Sequence, residues 1–173
     1  TFAIEDGLSL DVPGVKIEGE GMDASILEFS NQKSGAQGLL VTSDNVTLQD
    51  FAVVNAKGDA IKSKGADNIS FIRVKTEWTG GPKTTNGAYG LYPVESENIL
   101  IDDCVAIGAS DAGIYVGQSK NIVVKNSFVK HNVAGIEIEN SFYADVFDNL
   151  AEENTGGILV FDLPDLPQQG GHH

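Results

Sequence analysis

The chain has 173 residues, 41% of them hydrophobic, and carries a formal net charge of −14 with a single arginine, Arg73. So acidic a composition argues against a nucleic-acid partner, because phosphate binding rests on clustered Lys and Arg. The length and the even composition indicate one domain over residues 1–173, no apolar run is long enough to cross a bilayer, and the only cysteine, Cys104, excludes an internal disulfide.

Residues 1–30 predict several short strands. Apolar residues alternate with polar ones, as at Leu8 and Leu10 or Val15 and Ile17, and turns of the Asp-Gly and Pro-Gly type separate them. This alternation is typical of strands of about three to five residues.

From Gly38 onward, a small residue followed by Ile or Leu marks the start of a repeated unit. The last three units are spaced by 22 residues, and one earlier unit is enlarged. A repeat of this period predicts a solenoid. Each unit reads as three short strands separated by polar turns, with no sustained helical pattern. The units begin, in chain order, at Gly38, Ala60, Gly90, Gly113, Gly135 and Gly157.

Two columns of polar residues keep step with this repeat and mark predicted turns. Asn and Asp tolerate left-handed backbone angles and bond to neighbouring backbone groups, so a turn is the expected structure at each position. The first column is Asn45, Asn68, Asn98 and Asn121, and the second is Asp50, Arg73, Asp103, Asn126 and Asp148.

With these repeats the chain resembles the right-handed parallel β-helix family, to which pectate lyases, polygalacturonases and mannuronan C5-epimerases belong. The similarity is carried by residues 15–21, by the glycine-led units and by residues 110–119. It implies an all-β fold, a right-handed parallel β-helix (solenoid) of about seven coils with repeats of about 22 residues.

The predicted β-helix is a single domain, and we expect it to be a fragment of a longer solenoid. A solenoid needs capped ends, and no cap is evident after the last predicted strand. The alternative is that the open end stacks on another molecule, that is, end-to-end self-association. His172-His173 fits either a tag or native sequence.

The outward face of the glycine-led strands is the predicted functional site. Side chains alternate along a strand, so Tyr115 points outward if Ile114 and Val116 point inward. Applied to every unit, this rule gives two outward columns: Leu40, Lys62, Tyr92, Tyr115, Glu137 and Leu159, beside Thr42, Lys64, Val94, Gly117, Glu139 and Phe161.

These columns combine aromatic, basic and acidic side chains that suit a glycan. Tyrosine offers a flat apolar face with a hydroxyl, lysine attracts the carboxylate of a uronic acid, and glutamate binds sugar hydroxyls or a calcium ion. We expect an acidic polysaccharide to bind in a groove on this face, with Trp78 of the enlarged unit at one end and calcium at Glu137 and Glu139. The alternatives are an ordinary exposed sheet and a Trp78 that packs its loop onto the body. The predicted groove residues are Lys62, Lys64, Trp78, Tyr92, Tyr115, Glu137 and Glu139.

The sequence assigns no catalytic residue. In the epimerases a similar position reads Tyr-Gly-Ile-Asp-Pro-His-Asp, with the histidine implicated as the base, whereas residues 89–95 here place Val94 at the histidine position. His131 is either an acid–base group or an ordinary surface residue.

The resemblance implies a polysaccharide-binding or polysaccharide-modifying protein that is secreted, periplasmic or on the cell surface. Its expected activity is that of a lyase or epimerase on uronic-acid glycans. The alternative is a non-catalytic structural or surface module that mediates protein contacts or assembly.

Overall fold

The structure, a computed structural model, describes residues 1–168, and every regular element in that range is a strand. His172 and His173 lie outside the described residues, so their origin stays open. The strands are β1 (Phe2–Ala3), β2 (Asp6–Leu10), β3 (Lys16–Glu18), β4 (Ile26–Glu28), β5 (Ser34–Val41), β6 (Thr47–Val54), β7 (Asp59–Lys64), β8 (Ile69–Glu77), β9 (Leu91–Val94), β10 (Glu97–Asp102), β11 (Val105–Ile107), β12 (Ala112–Gly117), β13 (Lys120–Lys125), β14 (Phe128–Lys130), β15 (Ala134–Glu139), β16 (Phe142–Phe147), β17 (Leu150–Glu152) and β18 (Gly156–Phe161).

The chain coils so that each turn adds one strand to each of three parallel ladders. The first ladder is β2, β5, β7, β9, β12, β15 and β18. The second is β3, β6, β8, β10, β13 and β16, and the third is β1, β4, β6, β8, β11, β14 and β17, with the long strands β6 and β8 passing through both. Parallel pairing needs a long crossover, which here is one full turn of the coil. The predicted all-β parallel β-helix of about seven turns is confirmed.

The pairing register confirms the repeat. Ile114 pairs with Ile136, and Ile136 with Ile158, which is the 22-residue period read from the sequence. Leu8 pairs with Leu39 and Ile61 with Leu91, so two turns of the coil are enlarged rather than one. The sequence did not predict the first enlarged turn, because the glycine-led repeat is recognisable only from Gly38 onward.

The repeat glycine is explained by a tight corner of the coil. A Cβ at Gly135 would lie 2.8 Å from Val129 Cγ2 and 2.5 Å from the Gly157 carbonyl oxygen, while the next residue, Ile136, is fully buried. Two consecutive positions therefore face the interior, and only the second has room for a side chain. The aliphatic stack that follows these corners is Leu39, Ile61, Leu91, Ile114 and Ile136.

The two predicted turn columns are bends of the backbone, and four of their members lie inside strands: Asp50 in β6, Arg73 in β8, Asn98 in β10 and Asn121 in β13. Every member of both has a positive φ, between 49° and 60°. The asparagines of the first column also bond to one another, each Nδ2 donating to the Oδ1 one turn earlier over 2.9 to 3.2 Å, from Asn121 down to Asn45. Arg73 lies on the second column, where its guanidinium donates to both oxygens of Asp50 over 2.6 and 2.8 Å.

The enlarged turn between β8 and β9 holds residues 78–90, which form a loop without strands. Trp78 does not line the outer face. Its ring is buried in the main core and its Nε1 donates to the Ala56 carbonyl over 2.7 Å, so the loop alternative describes this residue correctly. Within residues 1–168 no helix has the length and hydropathy needed to cross a membrane.

Candidate functional site

The outer face of the first ladder carries the predicted columns in register. Lys62 pairs with Tyr92, and Tyr115 with Glu137. Alternation along the strand predicts the direction of these side chains but not their exposure. Tyr115, Glu137 and Glu139 belong to the outward columns and are nevertheless only 5%, 8% and 7% exposed. The face is therefore a covered cluster over β12 and β15 rather than an open sheet.

Three tyrosines form the centre of this face, and we call them the tyrosine cluster: Tyr89, Tyr92 and Tyr115. The ring centroid of Tyr89 lies 4.4 Å from that of Tyr92 and 4.9 Å from that of Tyr115, and Tyr92 meets Tyr115 edge-on at 4.9 Å. Tilted and edge-on geometries are the favoured ones for aromatic pairs. Ala112 and Ala134 lie beneath the rings, where their small side chains leave the rings room to pack.

Gly117 fixes the position of the Tyr115 ring. A Cβ at Gly117 would overlap the Tyr115 hydroxyl and the edge of its ring. With no side chain there, the ring lies along the strand and its hydroxyl donates to Glu139 Oε1 over 2.9 Å. The absence of a side chain at Gly117 therefore leaves the space in which the Tyr115 hydroxyl reaches Glu139, one turn of the coil further on.

Glu137 is the least satisfied charged group of the site. Within residues 1–168 its carboxylate has neither a hydrogen-bond donor nor a salt-bridge partner. Burial, and then the negative charges of Asp111 and Glu139, raise its pKa to about 7. We call Asp111, Glu137 and Glu139 the acidic group. A carboxyl group with this pKa both donates and accepts a proton near neutral pH.

The tyrosine hydroxyls stay protonated in this environment. Burial raises the pKa of Tyr89, Tyr92 and Tyr115, and neighbouring carboxylates raise it further, with Asp111 beside Tyr89 and Glu139 beside Tyr115. The three phenols are therefore hydrogen-bond donors and poor bases. Glu137, with its pKa raised to about 7, is the group of this site that changes its protonation near neutral pH.

The two predicted lysines are already engaged. Lys62 Nζ lies 4.2 Å from the centre of the Tyr92 ring, over its face. Lys64 Nζ lies 3.8 Å from Glu95 Oε1, which directs its charge toward the turn that follows β9. Only Lys62 thus contacts the tyrosine cluster.

A cavity of about 320 Å³ lies between the loop 78–90 and the turns before β12, β15 and β18, and its lining includes no member of the tyrosine cluster or the acidic group. Ser110 and Val133 border it, and the residues that follow them, Asp111 and Ala134, belong to the site. His131 also lines this cavity, and its Nε2 lies 2.6 Å from Glu153 Oε2. The two residues occupy corresponding turns of successive coils, and both have a positive φ. His131 is therefore a turn residue of the cavity rather than a member of the tyrosine cluster.

The residues present do not make an evident metal site. Within residues 1–168 no group of three or more His, Cys, Asp or Glu side chains is arranged to hold a metal ion. One Glu139 oxygen already accepts from Tyr115. The calcium predicted at Glu137 and Glu139 stays a prediction.

The sequence reading missed Tyr89, Asp59 and Asp111. Tyr89 and Asp59 occupy the position before the repeat glycine or its equivalent, and the corner turns that position outward. The signal was present in the repeat, because Gln37, Asp59, Tyr89, Ala112, Ala134 and Gly156 form a third outward column. Asp111 comes from a turn and had no such signal.

Of the comparisons with known proteins, the match to a family model supports the fold. A family model described as a right-handed β-helix region matches residues 13–164. No curated protein matches the chain. A pectin methylesterase solved in complex with a hexasaccharide superposes with a TM-score of 0.42 and 8% sequence identity, over 85% of this chain and 70% of that one. Since the family model covers most of the sequence, the chain belongs to the right-handed β-helix family.

Proposed function

We propose that the protein binds a polysaccharide against the tyrosine cluster and that Glu137 exchanges a proton with the bound sugar. The observation that carries this proposal is the position of Glu137, which is buried, unpartnered within residues 1–168 and set beside three packed tyrosines. The proposal also includes a location outside the cytoplasm, where a protein of this kind would encounter long polysaccharides.

The tyrosines and the carboxylates have separate roles in this proposal. The exposed parts of Tyr89 and Tyr92 offer apolar ring faces for a sugar, and their hydroxyls donate hydrogen bonds. As the acid, Glu137 would protonate a glycosidic oxygen while its bond to the anomeric carbon breaks and water adds to that carbon. As the carboxylate, it would instead remove a proton from a ring carbon.

The narrower prediction from the sequence, elimination or epimerisation of a uronic acid, adds one requirement. A positive group must neutralise the sugar carboxylate while the base removes the proton at C5, whose electron pair then expels the C4 substituent or recaptures a proton. On this face only Lys62 touches the cluster. Uronic-acid glycans are therefore one of the substrate classes to be compared.

The test combines retention and turnover on a panel of alginate, pectate, a glycosaminoglycan and chitosan. Affinity electrophoresis measures retention, new reducing ends report any cleavage, and ultraviolet absorbance reports unsaturated uronate. We expect Tyr115→Ala and Gly117→Ala to weaken retention by about tenfold or more, because both remove the ring from its place. Glu137→Gln should keep retention and lower turnover by about a hundredfold or more.

Matched controls come from the other ladders. Tyr143→Ala removes an exposed tyrosine of β16, and Glu97→Gln changes an exposed glutamate of β10. Unchanged retention in Tyr115→Ala contradicts the binding site, and undiminished turnover in Glu137→Gln contradicts the role of that residue. Retention of none of the polysaccharides by the unaltered protein favours the structural or surface module instead. A chelator added to the same assays tests the calcium prediction.

A further inference from the structure

The tyrosine cluster is surrounded by more acids than bases. Tyr89 lies near Asp111 and Glu137, the Tyr115 hydroxyl donates to Glu139 Oε1, and Tyr92 lies near Asp59, Glu95 and Glu139. In the described part of the chain, Lys62 is the one lysine whose ammonium group lies over a ring of the cluster. Within residues 1–168, five carboxyl groups thus lie near the rings, and one of them, Glu95, is 3.8 Å from the ammonium group of a second lysine, Lys64.

The site already holds a cation, and that cation belongs to the chain itself. The Lys62 ammonium lies over the face of Tyr92 at 4.2 Å. An aromatic face carries negative charge density and attracts a cation placed within about 6 Å of its centre. The ring faces and the carboxylates therefore favour the same sign of charge in a ligand.

We infer that the glycan bound at this site carries ammonium groups, as an amino-sugar polymer does, rather than carboxylate groups. The inference rests on the proposed function, and it replaces the uronic-acid class predicted from the two lysines and from the family resemblance. Two independent observations carry it: the lysine seated on Tyr92, and the buried Glu137 carboxylate that has no partner within residues 1–168.

Charge repulsion argues against the uronate in physical terms. A sugar carboxylate bound here would face Asp111, Glu137 and Glu139 in a setting where solvent screens charges poorly. Like charges across an interface select strongly against a partner. An ammonium group in the same place would satisfy the Glu137 carboxylate.

The experiment compares three hexasaccharides by isothermal titration: the glucosamine hexamer, its fully N-acetylated counterpart and hexagalacturonate. The first two share a backbone and differ in charge. We expect the glucosamine hexamer to bind at least about tenfold more tightly than the N-acetylated one. Salt of about 0.5 M should reduce that difference, and hexagalacturonate should bind weakest.

Lys62→Met sharpens the test because it removes the internal cation and keeps an apolar stem. The variant should bind the glucosamine hexamer more tightly by about threefold to tenfold, since the Tyr92 face becomes free. Any gain in binding of the N-acetylated hexamer should be smaller, because that sugar meets the freed ring face without carrying a positive charge. Lys120→Met, which alters a lysine of β13 paired with Glu97, is the control and should change neither.

The outcomes separate the two proposals. Equal binding of the charged and N-acetylated hexamers, a preference for hexagalacturonate, or weaker glucosamine binding in Lys62→Met overturns the amino-sugar inference. If the preferred ligand in those cases is still lost in Tyr115→Ala, the proposed polysaccharide site stands. Binding of none of the three hexamers, together with no retention in the polysaccharide panel, overturns both.

Discussion

At the scale of single residues, Glu137 is the side chain on which the proposed chemistry depends. It lies on β15 with Asp111, Glu139 and the tyrosine rings around it, and Lys62 is the nearest lysine contact of that cluster. Burial and its two acidic neighbours raise its pKa from 4.5 to about 7. The folded state therefore holds a proton on Glu137 at pH values where the unfolded chain has lost it.

This shift predicts a pH-dependent gain in stability for Glu137→Gln. Between about pH 4.5 and 7 the folded state binds more protons, so the free energy of unfolding of the unaltered protein falls as pH rises, by about 3 kcal/mol in all. Glutamine removes this cost. Urea unfolding should show little difference between the two proteins at about pH 4 and a more stable variant at about pH 8. A constant difference at all pH values contradicts the assignment, and Glu97→Gln is the control.

At the scale of the elements, the corner before each strand of the first ladder decides where glycine is needed. At Gly135 an added Cβ meets the Val129 side chain and the backbone of the next turn, whereas at Gly157 nothing lies within 4 Å. The two positions belong to the same column of the repeat. They separate the role of space from that of backbone conformation, because neither has a positive φ.

The pair predicts opposite responses to the same substitution. Gly135→Ala should lower the free energy of unfolding by about 1–3 kcal/mol, because the methyl group overpacks the corner. Gly157→Ala should be neutral or stabilising by up to about 1 kcal/mol, since alanine restricts the unfolded chain. Urea denaturation of both variants measures this. Equal losses of stability would show that the corner is not limited by space.

At the scale of the whole molecule, the β-helix is a stack in which each turn contacts only its neighbours. Ile136 and Ile138 of β15 are buried, whereas Ile158 and Val160, one turn later, are 47% and 56% exposed. Within residues 1–168 no strand pairs with the far edge of β18. In such a stack, local stability follows the number of neighbouring turns. End-to-end self-association at this edge stays a prediction.

Hydrogen exchange should therefore vary along the stack. Backbone amides of β12, which has neighbours on both sides, should exchange at least about tenfold more slowly than those of β18. Amide exchange of Ile114 and Val116 against Ile158 and Val160, followed by mass spectrometry or NMR, measures this. Uniform exchange from β12 to β18 would mean that the turns unfold together rather than from the end.

The sequence by itself determined the repeating part of the structure. The spacing from Gly113 to Gly157 predicts the coil, Asn45 to Asn121 predict the turns, and alternation places Tyr115 and Glu137 on the outer side. These features are periodic. Because each turn of the coil repeats the same local geometry, equivalent positions need the same type of residue, and the sequence shows that need directly.

Only the tertiary structure decided what covers that outer side and how charged it is. The loop before β9 brings Tyr89 onto Tyr115, a turn brings Asp111 toward Glu137, and Trp78 goes inward instead of joining the face. Burial and pKa depend on neighbours from several turns of the coil, including an irregular loop. The pattern of one strand shows which way a side chain points, but the packing of its neighbours determines what it meets.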